Sequence, residues 1–133
     1  MSETSGTPFS MLGGEPAVRR LVERFYEIMA RDEPALARLH PCDEQGRVAP
    51  ENREKFALYL IGWLGGPQEY VARYGHPRLR MRHGRVPVDT AGRDAWMRAM
   101  RAAMESEGVP EPLRGFLDSK LSELADHMRN QPG

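Results

Sequence analysis

The chain has 133 residues and a mass of 15.1 kDa, enough for one hydrophobic core and too little for two. Its 19 Lys and Arg residues equal its 19 Asp and Glu residues, with an isoelectric point near 6.9, which excludes a bulk positive field for nucleic acid or an anionic membrane. The one cysteine, Cys42, excludes an intramolecular disulfide and every motif built on paired cysteines, and no stretch approaches the ~20 apolar residues of a membrane span.

Residues 1–12 are rich in Ser, Thr and Gly without periodicity and are expected to be a flexible leader, with the folded domain spanning 13–133. Nothing in the first residues resembles a charged head followed by an apolar run, so a soluble cytoplasmic protein is expected. Val18, Leu21, Val22, Phe25 and Met29 fall on one stripe of a helix that begins around Glu15 and Pro16 and stops at Pro34. A short helical piece over Ala35–His40 runs into Pro41, and the segment around Gly46 and Pro50 reads as a polar connection. Phe56, Tyr59, Leu60, Trp63 and Leu64 define the next helix, closed by Gly65, Gly66 and Pro67.

A short stretch with Tyr70, Val71 and Tyr74 follows, then a break at Gly75 and a short helix opened by Pro77 and closed by Gly84, with His83 in its last turn. Trp96, Met97, Met100, Ala103 and Met104 mark another helix. Leu113, Phe116, Leu117, Leu121, Leu124 and Met128 mark the last. Only Arg85–Val88 has strand character, and its proline argues against a sheet, so the fold class is all-α.

The run "GHPRLRMRH", Gly75 to His83, concentrates two of four histidines and three arginines. Arg78, Arg80 and Arg82 would spread around a helix, which is not the extended cationic stripe that phosphate binding requires. His76 and His83 are about two helical turns, ~10 Å, apart, too far to share one metal ion. The remaining chemistry is a planar cofactor that supplies its own equatorial ligands and takes one imidazole from the protein, of which haem is the example. Phe25, Phe56, Tyr59, Leu60, Leu79, Trp96 and Met100 are candidates for its slot. Stripes of this kind are also ordinary core, and both readings stay open on pattern alone.

The run "LGGPQEYVARYGHPRLRMRH", followed by "RDAWMRAM" and preceded by "RFYEIMARDE", resembles the group II truncated haemoglobins over residues 12–130. The resemblance implies a truncated globin, a two-over-two helical sandwich around haem b. It makes His83 the proximal iron ligand and Tyr26 and Trp96 the distal residues that contact bound ligand, with Phe25 packed near the haem. Tyr O–H and Trp N–H are donors on rigid apolar bodies, suited to stabilising bound dioxygen. Where relatives commonly place Tyr or Phe, this chain has His40, which either donates to ligand or titrates and turns outward. Asn52 falls at the usual distal gate position, and Phe56 replaces a leucine or glutamine of relatives. Lys55, Arg80 and Arg82 are expected propionate partners, each contributing ~1 kcal/mol or less at an exposed edge. His76 is expected to pin its loop and His127 to lie on the surface.

The function implied is dioxygen binding on a five-coordinate ferrous iron in a polar distal pocket, for storage, sensing or oxygen transport, with carbon monoxide, nitric oxide and sulfide as other ligands. The alternative is a haem-dependent redox enzyme, peroxidase-like or nitric-oxide-detoxifying, which would need a partner reductase because no Gly-x-Gly-x-x-Gly nucleotide motif is present. A cofactor-free helical interaction domain is a third reading. The last helix has apolar residues for either the proximal core or a homodimer interface.

Overall fold

A computed structural model describes residues 6–75 and 89–128, and among these every regular element is helical. In chain order the helices are α1 (Pro8–Leu12), α2 (Gly14–Asp32), α3 (Pro34–Ala37), α4 (Pro50–Trp63), α5 (Glu69–Tyr74), α6 (Thr90–Ser106) and α7 (Leu113–Met128). A single isolated bridge, Cys42 to Val48, is the nearest approach to a sheet among the described residues.

The helix α2 lies at the centre, packed against α4 on one flank and α6 on the other, and α7 covers α6. Its stripe of Val18, Leu21, Val22, Phe25 and Met29 is buried as the 3.6-residue period requires. Ala103, Met104 and Met100 of α6 meet it, and Leu113, Leu117, Leu121 and Ala125 of α7 close the other side. Each fully enclosed Leu, Val, Phe or Met of this core contributes about 1.5–3 kcal/mol of transfer free energy. Bidentate or charge-assisted pairs tie the helices at the surface. Arg19 grips Glu54 at 2.6 and 3.2 Å and Arg53 binds Glu23, joining α2 to α4, while Arg101 binds Asp118 at 2.7 Å, joining α6 to α7.

Four local readings are revised. The leader contains α1: Thr7 Oγ1 accepts from Ser10 N at 3.1 Å, Pro8 occupies the first turn, and Phe9 and Leu12 pack on the core. Five residues are too few to show a period, so the caps were the only available signal. Pro50 starts α4 rather than merely breaking the chain, and within the expected polar connection Val48 is fully buried and its carbonyl accepts from Arg53 Nε at 3.0 Å. The stretch with Tyr70 and Tyr74 is itself a helix, α5, ended by Gly75 at φ 79°. Phe116, expected on the apolar stripe of α7, is 48% exposed because the buried stripe advances in steps of four through Leu113, Leu117 and Leu121. The expected short helix from Pro77 to Gly84 and the segment Arg85–Val88 lie outside the described residues.

Candidate functional site

Three helices converge on one aromatic cluster. Phe25 and Tyr26 sit side by side on α2, Phe56 and Tyr59 one turn apart on α4, and Trp96 on α6. Phe25 contacts Tyr26 at 5.0 Å, Trp96 at 5.2 Å and Phe56 at 5.7 Å between ring centroids. Phe56 in turn meets Tyr26 at 5.9 Å and Trp96 at 6.1 Å, both edge-to-face, a geometry that adds about 0.5–1.5 kcal/mol per pair beyond burial.

Phe25 and Met100 carry no accessible surface and stand behind the wall, whereas Tyr26, Tyr59 and Trp96 keep a little accessible surface and Phe56 more. The exposed faces of the cluster therefore come from these four rings. Burial pushes the Tyr26 phenol well above its ordinary range, Glu23 adds to the rise, and Arg53 opposes it. The hydroxyl is therefore protonated at neutral pH and available as a donor. Tyr26 brings a phenol O–H and Trp96 an indole N–H to this wall, the two residues being 7% and 9% exposed.

His40 follows α3, half-buried, with its ring edge-to-face on Tyr26 at 6.1 Å and its Nδ1 3.1 Å from the Leu36 carbonyl oxygen. That bond requires a proton on Nδ1 and fixes the ring beside the Tyr26 phenol. Lys55 is exposed, with Nζ 5.0 Å from the centre of the Tyr74 ring. Asn52 is half-buried near the start of α4, and His127 is exposed in the last turn of α7. His83, Leu79, Arg80 and Arg82, with His76, lie outside the described residues. Among the described residues no group of three metal-ligating side chains gathers, so a metal held by protein ligands alone finds no site there.

Sequence reasoning named Tyr70 in a short stretch and gave it no part in the site. It packs edge-to-face on Tyr59 at 5.7 Å, forming with Leu58 a small cluster beside the main core, and Tyr74 follows at 5.1 Å. The signal was available: Tyr70 and Tyr74 are four apart, the spacing that stacks two side chains on one helix face.

Comparison with known proteins places this arrangement. A family model described as bacterial-like globin matches residues 7–130. The chain is similar to the cold-adapted truncated haemoglobin of Pseudoalteromonas haloplanktis TAC125, at 42% identity and a TM-score of 0.85 over 94% of this chain and 98% of the other. It is similar to the group II 2-on-2 haemoglobin of Agrobacterium tumefaciens, at 38% identity and a TM-score of 0.87 over 98% and 99%. It is also similar to the truncated oxygen-avid haemoglobin of Bacillus subtilis, at 35% identity and a TM-score of 0.84 over 94% and 100%.

Proposed function

This chain belongs to the bacterial-like globin family, as a group II truncated haemoglobin of two-over-two fold, and on that premise we propose that it holds haem b on His83 and binds dioxygen beneath Tyr26 and Trp96. The family implies haem and the binding of small ligands. The residues of this chain fit that group: four aromatic faces from three helices offer an apolar wall, and Tyr26 and Trp96 bring a phenol O–H and an indole N–H to it. Haem, when bound, would supply an iron able to take one imidazole and one small diatomic ligand.

The aromatic cluster carries the reading: rings from α2, α4 and α6 meet there, and Tyr26 and Trp96 bring a phenol O–H and an indole N–H to it. A phenol O–H and an indole N–H beside a polarised diatomic ligand would each donate to it and slow its release. Oxygen-avid behaviour in the Bacillus subtilis relative supports dioxygen as the ligand here. Phe56 narrows the same space with a ring, and His40, anchored to Leu36, braces the Tyr26 phenol from its far side. Phe25 and Met100 hold the wall from behind. Lys55, Arg80 and Arg82 would hold the propionates, and Leu79, like His83, would serve the same group. One cysteine suits a reducing cytoplasm.

The test is a haemin titration followed by oxygen dissociation. We expect a Soret band with one haem per chain, lost in His83→Ala. Release should be faster in Tyr26→Phe and in Trp96→Phe, by roughly fivefold for each ~1 kcal/mol of hydrogen bond removed. Unchanged release in both variants overturns the assignment of the donors, and absence of a Soret band overturns the cofactor.

A further inference from the structure

A charged pair stands beside two of the wall rings. Glu23 and Tyr26 are three residues apart on α2, and Arg53 and Phe56 three apart on α4, so each member of the pair lies one turn from rings that meet edge-to-face at 5.9 Å. Arg53 Nη1 bonds Glu23 Oε1 from one helix to the other. Its Nε donates at 3.0 Å to the carbonyl oxygen of Val48, a residue with no accessible surface, and this second bond fixes the guanidinium in place. The Arg53 side chain is 26% exposed and that of Glu23 51%. An ion pair this open to water adds little to stability, so where its charges are held matters more than how tightly they bind each other.

We propose that Arg53 and Glu23 are positioning residues that set, in opposite senses, how strongly the Tyr26 hydroxyl donates to a bound ligand, Arg53 slowing ligand release and Glu23 quickening it. The proposal rests on the haem reading above and adds to it the two charges that tune its donor.

A cation beside a phenol draws electron density from the O–H and makes it a stronger donor, and an anion does the reverse. Burial is the main influence on the Tyr26 proton; beyond it, Glu23 holds that proton more tightly and Arg53 loosens it, so both charges are felt at the phenol. Inside a protein the effective dielectric is below that of water, and a single charge alters a hydrogen bond without touching either partner. Removing one member of the pair is therefore not equivalent to removing the other. A pair that served only as a clamp would be loosened alike by Arg53→Met and Glu23→Gln, and ligand release would move the same way in both. Charges acting on the phenol move it in opposite directions.

The experiment uses the full chain loaded with haem and checked by its Soret band, with carbon monoxide and dioxygen as probes at one pH and ionic strength. Arg53→Met should raise the C–O stretching frequency and speed oxygen release by roughly two- to threefold, the scale of a partly exposed charge. Glu23→Gln should lower the frequency and slow release by a similar factor. Arg53→Lys, which keeps the charge and gives up the planar fork, should return most of the way to the unaltered protein. Both effects should vanish once Tyr26 is also replaced by Phe, since the phenol is their common target. Glu23 is exposed, so Glu23→Gln and Arg53→Lys decide the question if Arg53→Met, which also strips the Val48 carbonyl of its donor, does not fold. Shifts in the same direction, no shift in Glu23→Gln, or shifts that persist beside Tyr26→Phe overturn the proposal. If Tyr26→Phe alone leaves both readouts unchanged, the donor assignment has failed and the tuning with it, and a chain that takes up no haem overturns the cofactor reading first.

Discussion

The two helices α2 and α4 cross in one core and satisfy different demands. In α2 the buried residues form a stripe, and the opposite side carries Arg20, Glu23, Glu27 and Arg31 in solvent. In α4 five consecutive residues, Ala57 to Ile61, are buried, more than a full turn, so no side of that segment is left to water. One flank of α4 joins the main core through Ala57, Leu60 and Ile61, and the other forms a separate cluster of Leu58, Tyr59 and Tyr70. A helix segment that is apolar all round needs a second covering, and two of the four wall rings, Phe56 and Tyr59, stand on α4.

The largest expected effect breaks the shared side. Leu60→Ala or Leu21→Ala opens a cavity in the main core and should cost about 2–5 kcal/mol in urea unfolding of the haem-free chain. Phe56→Ala, at the partly exposed wall, should cost that chain visibly less while haem passes faster to an acceptor globin. Equal stability losses would mean that α4 has no separate face for the cofactor.

A sharper comparison comes from alkaline pH. Burial raises the Tyr26 phenol above its ordinary value, so the folded chain keeps its proton where the unfolded chain loses it. The stabilisation is therefore complete below about pH 10 and declines as pH rises beyond it, and Tyr26→Phe should flatten that decline in a pH series of thermal unfolding. The smallest effect is at the solvent side where α2 and α4 are clamped. Arg19→Met removes a half-buried surface ion pair with Glu54 and should cost about 1 kcal/mol, less in high salt.

The helical skeleton was legible because its signal is the period of long stripes, which α2, α6 and α7 have, while α4 was located from Phe56, Tyr59, Leu60, Trp63 and Leu64 although its burial runs all round. Short elements were not: α1 and α5 are shorter than two turns and reveal themselves through Thr7, Pro8 and Gly75 rather than through a pattern. At the site, the wall residues Phe25, Tyr26, Phe56, Tyr59 and Trp96 were nameable in advance and come together in space. The layering, with Phe25 and Met100 behind and the other rings in front, was not, because periodicity gives the face of a helix and not the depth of a side chain. The anchoring of His40 by the Leu36 carbonyl depends on a backbone oxygen, which no residue identity announces.

The small helix α1 also bears on how this gene should be cut. Phe9 N donates to the Leu64 carbonyl at 2.9 Å, and its ring lies where a Cβ on Gly66 would come within 2.8 Å. Shortening the coding region to begin at the apparent domain start, residue 13, would strip a plug from the end of α4. The trimmed product should melt at a lower temperature and shed its cofactor more readily than the longer one, so a crystallographer tidying the N-terminus would be removing part of the pocket's own support.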